Sequence, residues 1–141
     1  MRAVPFESGR EFESRPYFLD AAAAHAYGAA VEHPARRAVQ PNIHDDDAAA
    51  RRAGFRAPIA AGEHTYALAA NFMVDLFGID FLRGGHLEAS MIKPVFFGDR
   101  LVVHARVTAA DDSEVAMETW VENDRKERVL VGSARLARNP R

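Results

Sequence analysis

The sequence has no cysteine, and this removes disulfides, thiolate metal sites and a cysteine nucleophile together. Excess charge is also absent: the formal net charge is -2, too little positive field to grip a nucleic-acid backbone. No stretch approaches the roughly 20 apolar residues of a membrane span. The segment from Met1 to Arg15 is broken by Arg2, Glu7, Arg10, Glu11, Glu13 and Arg15, so it holds no apolar run of a signal peptide. A cytoplasmic protein without membrane or nucleic-acid partners is the expectation. There is no Gly-x-Ser-x-Gly elbow, no glycine-rich phosphate loop and no pair of histidines at helical metal-ligand spacing. We therefore expect neither a metal nor a cofactor. The run Asp45-Asp46-Asp47 is the one feature able to draw a divalent cation, and helix capping explains it as well.

What remains is an ordinary globular composition, 48% hydrophobic and 27% charged over 141 residues, enough for a single domain spanning 1–141. A strand is expected near Glu11 to Leu19. Asp20 then reads as an N-cap opening an Ala-rich helix from about Ala21 to Val31. Pro34 and Pro41 break the following loop. Asp45, Asp46 and Asp47 precede Ala48 to Ala53, with Arg51 and Arg52 late and Gly54 beyond, the charge order of a short helix with both ends of its dipole complemented.

The segment from Gly62 to Phe77 is the most informative. Tyr66, Leu68, Phe72, Met73, Val74, Leu76 and Phe77 point in nearly every direction, and His64, Asn71 and Asp75 form a narrow polar stripe at i, i+7, i+11. A helix apolar almost all round must be enclosed by protein; Gly78 stops it. After it the period changes to two. Leu87, Ala89 and Met91 alternate with Glu88, Ser90 and Ile92. Strands follow around Leu101 to Val107, Val115 to Val121 and Val129 to Arg135, separated by Phe97-Gly98-Asp99, Asp111-Asp112-Ser113 and Asn123-Asp124. Four successive strands joined by short turns imply an antiparallel meander. The meander has an apolar face to cover and the helix needs cover, so the simplest architecture is an α+β fold with the sheet around the helix.

Two stretches carry a resemblance. Asn42-Ile43-His44-Asp45-Asp46, Ala50, Gly54-Phe55 and Pro58-Ile59-Ala60-Ala61-Gly62 resemble the MaoC-like family, which includes the (R)-specific enoyl-CoA hydratases. Lys93-Pro94-Val95-Phe96-Phe97-Gly98-Asp99-Arg100-Leu101 resembles the family's strand-turn-strand after the central helix. The matches run in order over roughly Ala21 to Ala137. The resemblance implies a hotdog fold, an antiparallel sheet wrapped around a long central helix, and pairing into at least a homodimer. It implies an acyl thioester of coenzyme A or of an acyl carrier protein as substrate.

The family's motif reads Asp-x-Asn-Pro-aliphatic-His, then five residues, then a small residue. His44, Ile43 and Ala50 fit it. Asn and Pro are swapped, as Pro41-Asn42, and Val39 stands at the position of the Asp. In the family an Asp and a His hold and activate one water, which adds across the double bond of an enoyl thioester. The resemblance makes His44 the general base here, a role suited to imidazole near neutral pH. Backbone N–H groups at the start of the helix near Gly62 then serve the oxyanion, favoured by the helix dipole. Asn42, Ala61, Gly62, Glu63 and Arg56 are the substrate-binding candidates, with Arg56 suited to a phosphate.

Each candidate has a plainer reading beside it. His44 alone would pass as a capping or surface residue. Asp46 matches the acid often found two places after the family's His, yet helix capping explains it. Glu63 is explained by the dipole. His64 is either a satisfied core histidine or a second catalytic group. Glu32, in the loop before the motif, is the candidate to replace the missing carboxylate. His104 alternates with core residues and is expected to face solvent. The departure at Val39 keeps two other functions open: a hotdog thioesterase or biosynthetic tailoring enzyme, and a non-catalytic partner subunit.

Overall fold

A computed structural model describes residues 6–31 and 42–138 of the chain. Glu32, His33 and Val39 lie outside the described residues. The elements, in order, are β1 (Glu11–Glu13), β2 (Tyr17–Leu19), α1 (Ala21–Val31), α2 (Asp47–Arg52), α3 (Gly62–Phe77), α4 (Ile79–Gly84), β3 (Gly85–Met91), β4 (Asp99–Ala110), β5 (Glu114–Glu122) and β6 (Arg128–Ala137). No helix among the described residues is long and apolar enough to cross a membrane.

All strands join one antiparallel six-stranded sheet in the order β1-β4-β5-β6-β3, with β2 also on β4. Residues of period two face inward: Leu101, Val103, Ala105 and Val107 on β4, and Val115, Met117, Thr119 and Val121 on β5, are all buried. Helix α3 lies against β3, β4, β5 and β6, with Ala69, Phe72 and Met73 buried in the shared core. This is a hotdog fold, a curved sheet around a helix.

Several expectations are corrected in detail. The first strand is two strands, both paired to β4. Pro16 lies between them and has no N–H for the ladder. Ser14 bridges the break instead, donating its N–H to Val103 O at 2.8 Å and accepting the Val103 N–H on Oγ at 2.9 Å. The meander comprises three strands, β4, β5 and β6; β3 pairs with β6 and sits at the far edge. The chain from β3 to β4 therefore crosses the end of the sheet, and residues 92–98 pass beside the start of α3. A further short helix, α4, follows directly at Gly78, whose φ of 69° favours glycine and turns the chain sharply. His104 does not stand free in solvent. Its ring stacks on Trp120, with centroids 5.2 Å apart and planes 8° apart, and its side chain is mostly covered.

Enclosure of α3 is also incomplete. Asn71 and Asp75 are exposed, as is Glu63, while Tyr66, Leu68, Val74, Leu76 and Phe77 are half-buried. The polar stripe thus reaches solvent at its middle and end. His64, at the beginning of the same stripe, is only 5% exposed. The cover over it comes from two elements that precede the helix in sequence, β2 and α1.

Candidate active site

Three pieces of chain converge at the N-terminus of α3. The first is the turn 42–46. Asn42 organises it: its Oδ1 accepts the His44 N–H at 2.8 Å, and its own N–H is held by Asp45 Oδ1 at 3.0 Å. Its carbonyl also takes the Asp46 N–H at 3.0 Å. The second piece is 59–61. Ile59 N–H donates to Ile43 O at 3.0 Å, and Ala60 N–H to Val95 O at 2.8 Å. The third is the crossing segment, joined through an antiparallel bridge between Ile59 and Phe96.

His44 belongs to this junction. Its Nδ1 lies 2.9 Å from the Ile59 carbonyl oxygen. A carbonyl only accepts, so Nδ1 carries the proton and donates it. In the neutral ring the lone pair is then on Nε2. Ile59 thereby fixes both the tautomer and the direction of the ring.

Two cavities meet at His44, Ile59 and Ala60. The smaller, about 320 Å³, is apolar and is bordered by Phe55, Met91, Ile92, Val95 and Val129. The larger, about 760 Å³, is more polar and is bordered by Asn42, Asp45, Glu63, His64 and residues of α1. Ala24, Tyr27, Gly28 and Val31 of α1 line it at i, i+3, i+4, i+7, one helical face. Helix α1 has no buried residue; its Ala24 packs against the core and its Tyr27 on His64.

Helix α3 begins here without a side-chain cap, after Ala61 in extended conformation. Among the described residues the N–H groups of Gly62 and Glu63 meet no acceptor, as expected for the first turn of a helix. Gly62 lines the smaller cavity, and a Cβ on it would come 2.7 Å from Met91 Cε. The glycine therefore leaves room for the thioether tip beside an open backbone amide.

His64 is held by aromatic groups. Its Nε2 is 3.0 Å from Tyr17 Oη, and its ring lies parallel to Tyr27, with centroids 4.3 Å apart and planes 6° apart. Burial lowers the His64 pKa below the ordinary 6.5. Tyr27 is pushed above the ordinary 10.0, first by burial and then by the charge of Glu63.

The candidates divide accordingly. His44, Asn42, Ala61, Glu63 and His64 all border the larger cavity, and Gly62 and His44 the smaller. Asp46 borders neither. It is the N-cap of α2, its Oδ1 accepting the Ala49 N–H at 2.6 Å. Arg56 also borders neither; its guanidinium stands 3.8 Å over the Phe96 ring. Among the described residues no group of three or more His, Asp or Glu is arranged to hold a metal ion. Tyr17 and Tyr27 are the site residues that sequence reasoning passed over. The helical spacing of Ala24, Tyr27, Gly28 and Val31 is a signal for one of them; no sequence signal points to Tyr17.

Comparison with known proteins identifies the family and the fold. The family model described as "MaoC like domain" matches residues 39–129, so the chain belongs to the MaoC-like domain family. Among curated proteins no relative was found. A MaoC-like dehydratase from Rhodospirillum rubrum is similar in structure, with 28% identity, coverage of 96% of this chain and 95% of that one, and a TM-score of 0.72. R-hydratase PhaJ1 from Pseudomonas aeruginosa has 24% identity over 95% of this chain and 83% of its own, with a TM-score of 0.72. The (R)-hydratase from A. caviae involved in PHA biosynthesis has 23% identity over 99% and 100%, with a TM-score of 0.68. These last two likenesses concern the fold.

Proposed function

We propose that this protein hydrates an enoyl thioester, or dehydrates the corresponding 3-hydroxyacyl thioester, with His44 as general base. The observation that carries the proposal is the 2.9 Å bond from His44 Nδ1 to the Ile59 carbonyl, which leaves Nε2 as the basic nitrogen at the meeting of the two cavities. The acyl chain occupies the apolar cavity and the carrier arm, of coenzyme A or an acyl carrier protein, leaves through the polar one. In hydration, His44 Nε2 takes a proton from water as the water oxygen bonds to C3. The C2=C3 electron pair moves toward the thioester, placing negative charge on its oxygen. The open N–H groups of Gly62 and Glu63, at the positive end of the α3 dipole, receive that charge. The imidazolium then returns its proton to C2, which restores the thioester carbonyl and the neutral base. Dehydration is the same path reversed.

A second copy of the chain is part of this reading. Among the described residues strand β3 pairs with β6 on one side only, and Met91 and Ile92 at its end are each 52% exposed while bordering the acyl cavity. An exposed wall of an apolar cavity is closed by a partner.

The test is turnover of crotonyl-CoA, followed by loss of the enoyl absorbance. His44→Ala is expected to lower kcat/KM by at least about 10²-fold, the usual contribution of a positioned base. Equal rates for wild type and variant remove His44 from the reaction. Val39 at the place of the family's Asp motivates a second reading, a thioesterase; release of free thiol from crotonyl-CoA without loss of the double bond would establish it instead.

A further inference from the structure

We infer that His64 is a second catalytic imidazole of this site, an uncharged one, donating a hydrogen bond from Nδ1–H to the thioester oxygen beside the amides of Gly62 and Glu63, with Tyr17 as its positioning residue. The inference rests on the thioester reading above and adds a third donor, and a residue behind it, to the oxyanion site.

The placement is the first argument. His64 is in the first turn of α3, next to the two open N–H groups, and borders the same cavity as His44. The second is the cover around it. Asn71 and Asp75 share its helical stripe and are exposed, so solvent would have accommodated His64 at no cost. Instead β2 supplies Tyr17 and α1 supplies Tyr27, and the side chain is buried between them at the mouth of a polar cavity. Two aromatic residues from separate elements hold one imidazole at a fixed angle.

The third argument is charge. Among the described residues, Tyr17 from β2 and Tyr27 from α1 touch the ring, and the other titratable groups bordering its cavity are His25, His44, Asp45 and Glu63. Neither carboxylate makes an ion pair with the ring, and the start of a helix disfavours a cation. Burial acts in the same direction and keeps the ring neutral. A neutral imidazole has one N–H and one lone pair. With the Tyr17 hydroxyl donating to Nε2, the ring proton is on Nδ1. Such a ring polarises a carbonyl as a donor and transfers no proton, a role known for uncharged histidines near helix N-termini.

The experiment joins kinetics with NMR on the full-length protein. His64→Leu is expected to reduce kcat for crotonyl-CoA by about 10²-fold, the usual loss for one oxyanion donor, with KM little changed. Tyr17→Phe keeps the ring and its packing and loses only the hydroxyl that stabilises the neutral imidazole. It should therefore lower kcat with KM little changed and raise the His64 titration seen by NMR. Nitrogen-15 shifts of His64 in the wild type should report the Nδ1–H tautomer without any substrate. Wild-type kcat in His64→Leu, an Nε2–H tautomer, or an unmoved His64 titration in Tyr17→Phe overturns the inference. Failure of the thioester reading looks different: wild type and His44→Ala are then equally inert toward crotonyl-CoA, whatever the tautomer of His64.

Discussion

His44 and His64 show how one side-chain type is given two characters by its nearest atoms. For His44 the deciding atom is a backbone acceptor, the Ile59 carbonyl, which fixes the proton on Nδ1. For His64 it is a hydroxyl at Nε2 together with aromatic cover, and burial lowers its pKa below the ordinary 6.5. The lowered pKa of His64 has a consequence for stability. Above the ordinary 6.5 the ring is neutral in both folded and unfolded chains and contributes nothing to the pH dependence. As pH falls below 6.5 the unfolded chain takes up the proton first, so stability falls until the lowered folded value is passed, and then levels. Thermal unfolding across that window should show a drop in Tm for the wild type that is smaller in His64→Gln. Parallel curves for the two proteins would contradict the burial of an uncharged ring.

At the scale of elements, the site depends on short pieces that have little stability of their own. Helix α2 has six residues, Asp47–Arg52, and buries only Ala50. It is held by the Asp46 cap, with Asp47 in its first turn and Arg51 and Arg52 in its last. Asp46→Ala should therefore destabilise the protein by about 1 kcal/mol in urea unfolding, and Asp46→Asn by much less, since Asn caps nearly as well. Equal losses would mean that the carboxylate charge, and not the cap, is what the turn requires. Helix α1 is a different case. Its Ala-rich sequence forms a helix with Asp20 as its cap, the Ala23 N–H donating to Asp20 Oδ1 at 2.7 Å. Having no buried face, it serves as a wall, and its function becomes visible only when Tyr27 lies on His64.

For the whole molecule, the side of β3 away from β6 has no partner strand among the described residues. A sheet edge with unpaired backbone groups, ending in exposed Met91 and Ile92, is suited to antiparallel pairing with a copy of itself. Light scattering after gel filtration should give twice the chain mass of 15.5 kDa. A stable 15.5 kDa species at working concentrations would refute that pairing and leave the acyl cavity with a solvent-facing wall.

Local residue choices determined much of this protein. Helix α3 begins at Gly62 and ends at Phe77 because a run of apolar residues is opened by one glycine and stopped by another, and period-two alternation set the faces of β4 and β5. The positions of His44 before α2 and of Gly62 at the start of α3 were legible because the motif around each is contiguous in sequence. What neighbours in the chain do not encode was decided by tertiary packing. Strand β3 pairs with β6 and not with β4, and the segment 92–98 then runs from one edge of the sheet past the start of α3 to β4. Tyr17 and Tyr27 reached His64 from 47 and 37 positions away, distances over which no periodicity speaks. Hydrogen bonds and stacking act between atoms in space, so the character of each imidazole was set when the fold closed around it.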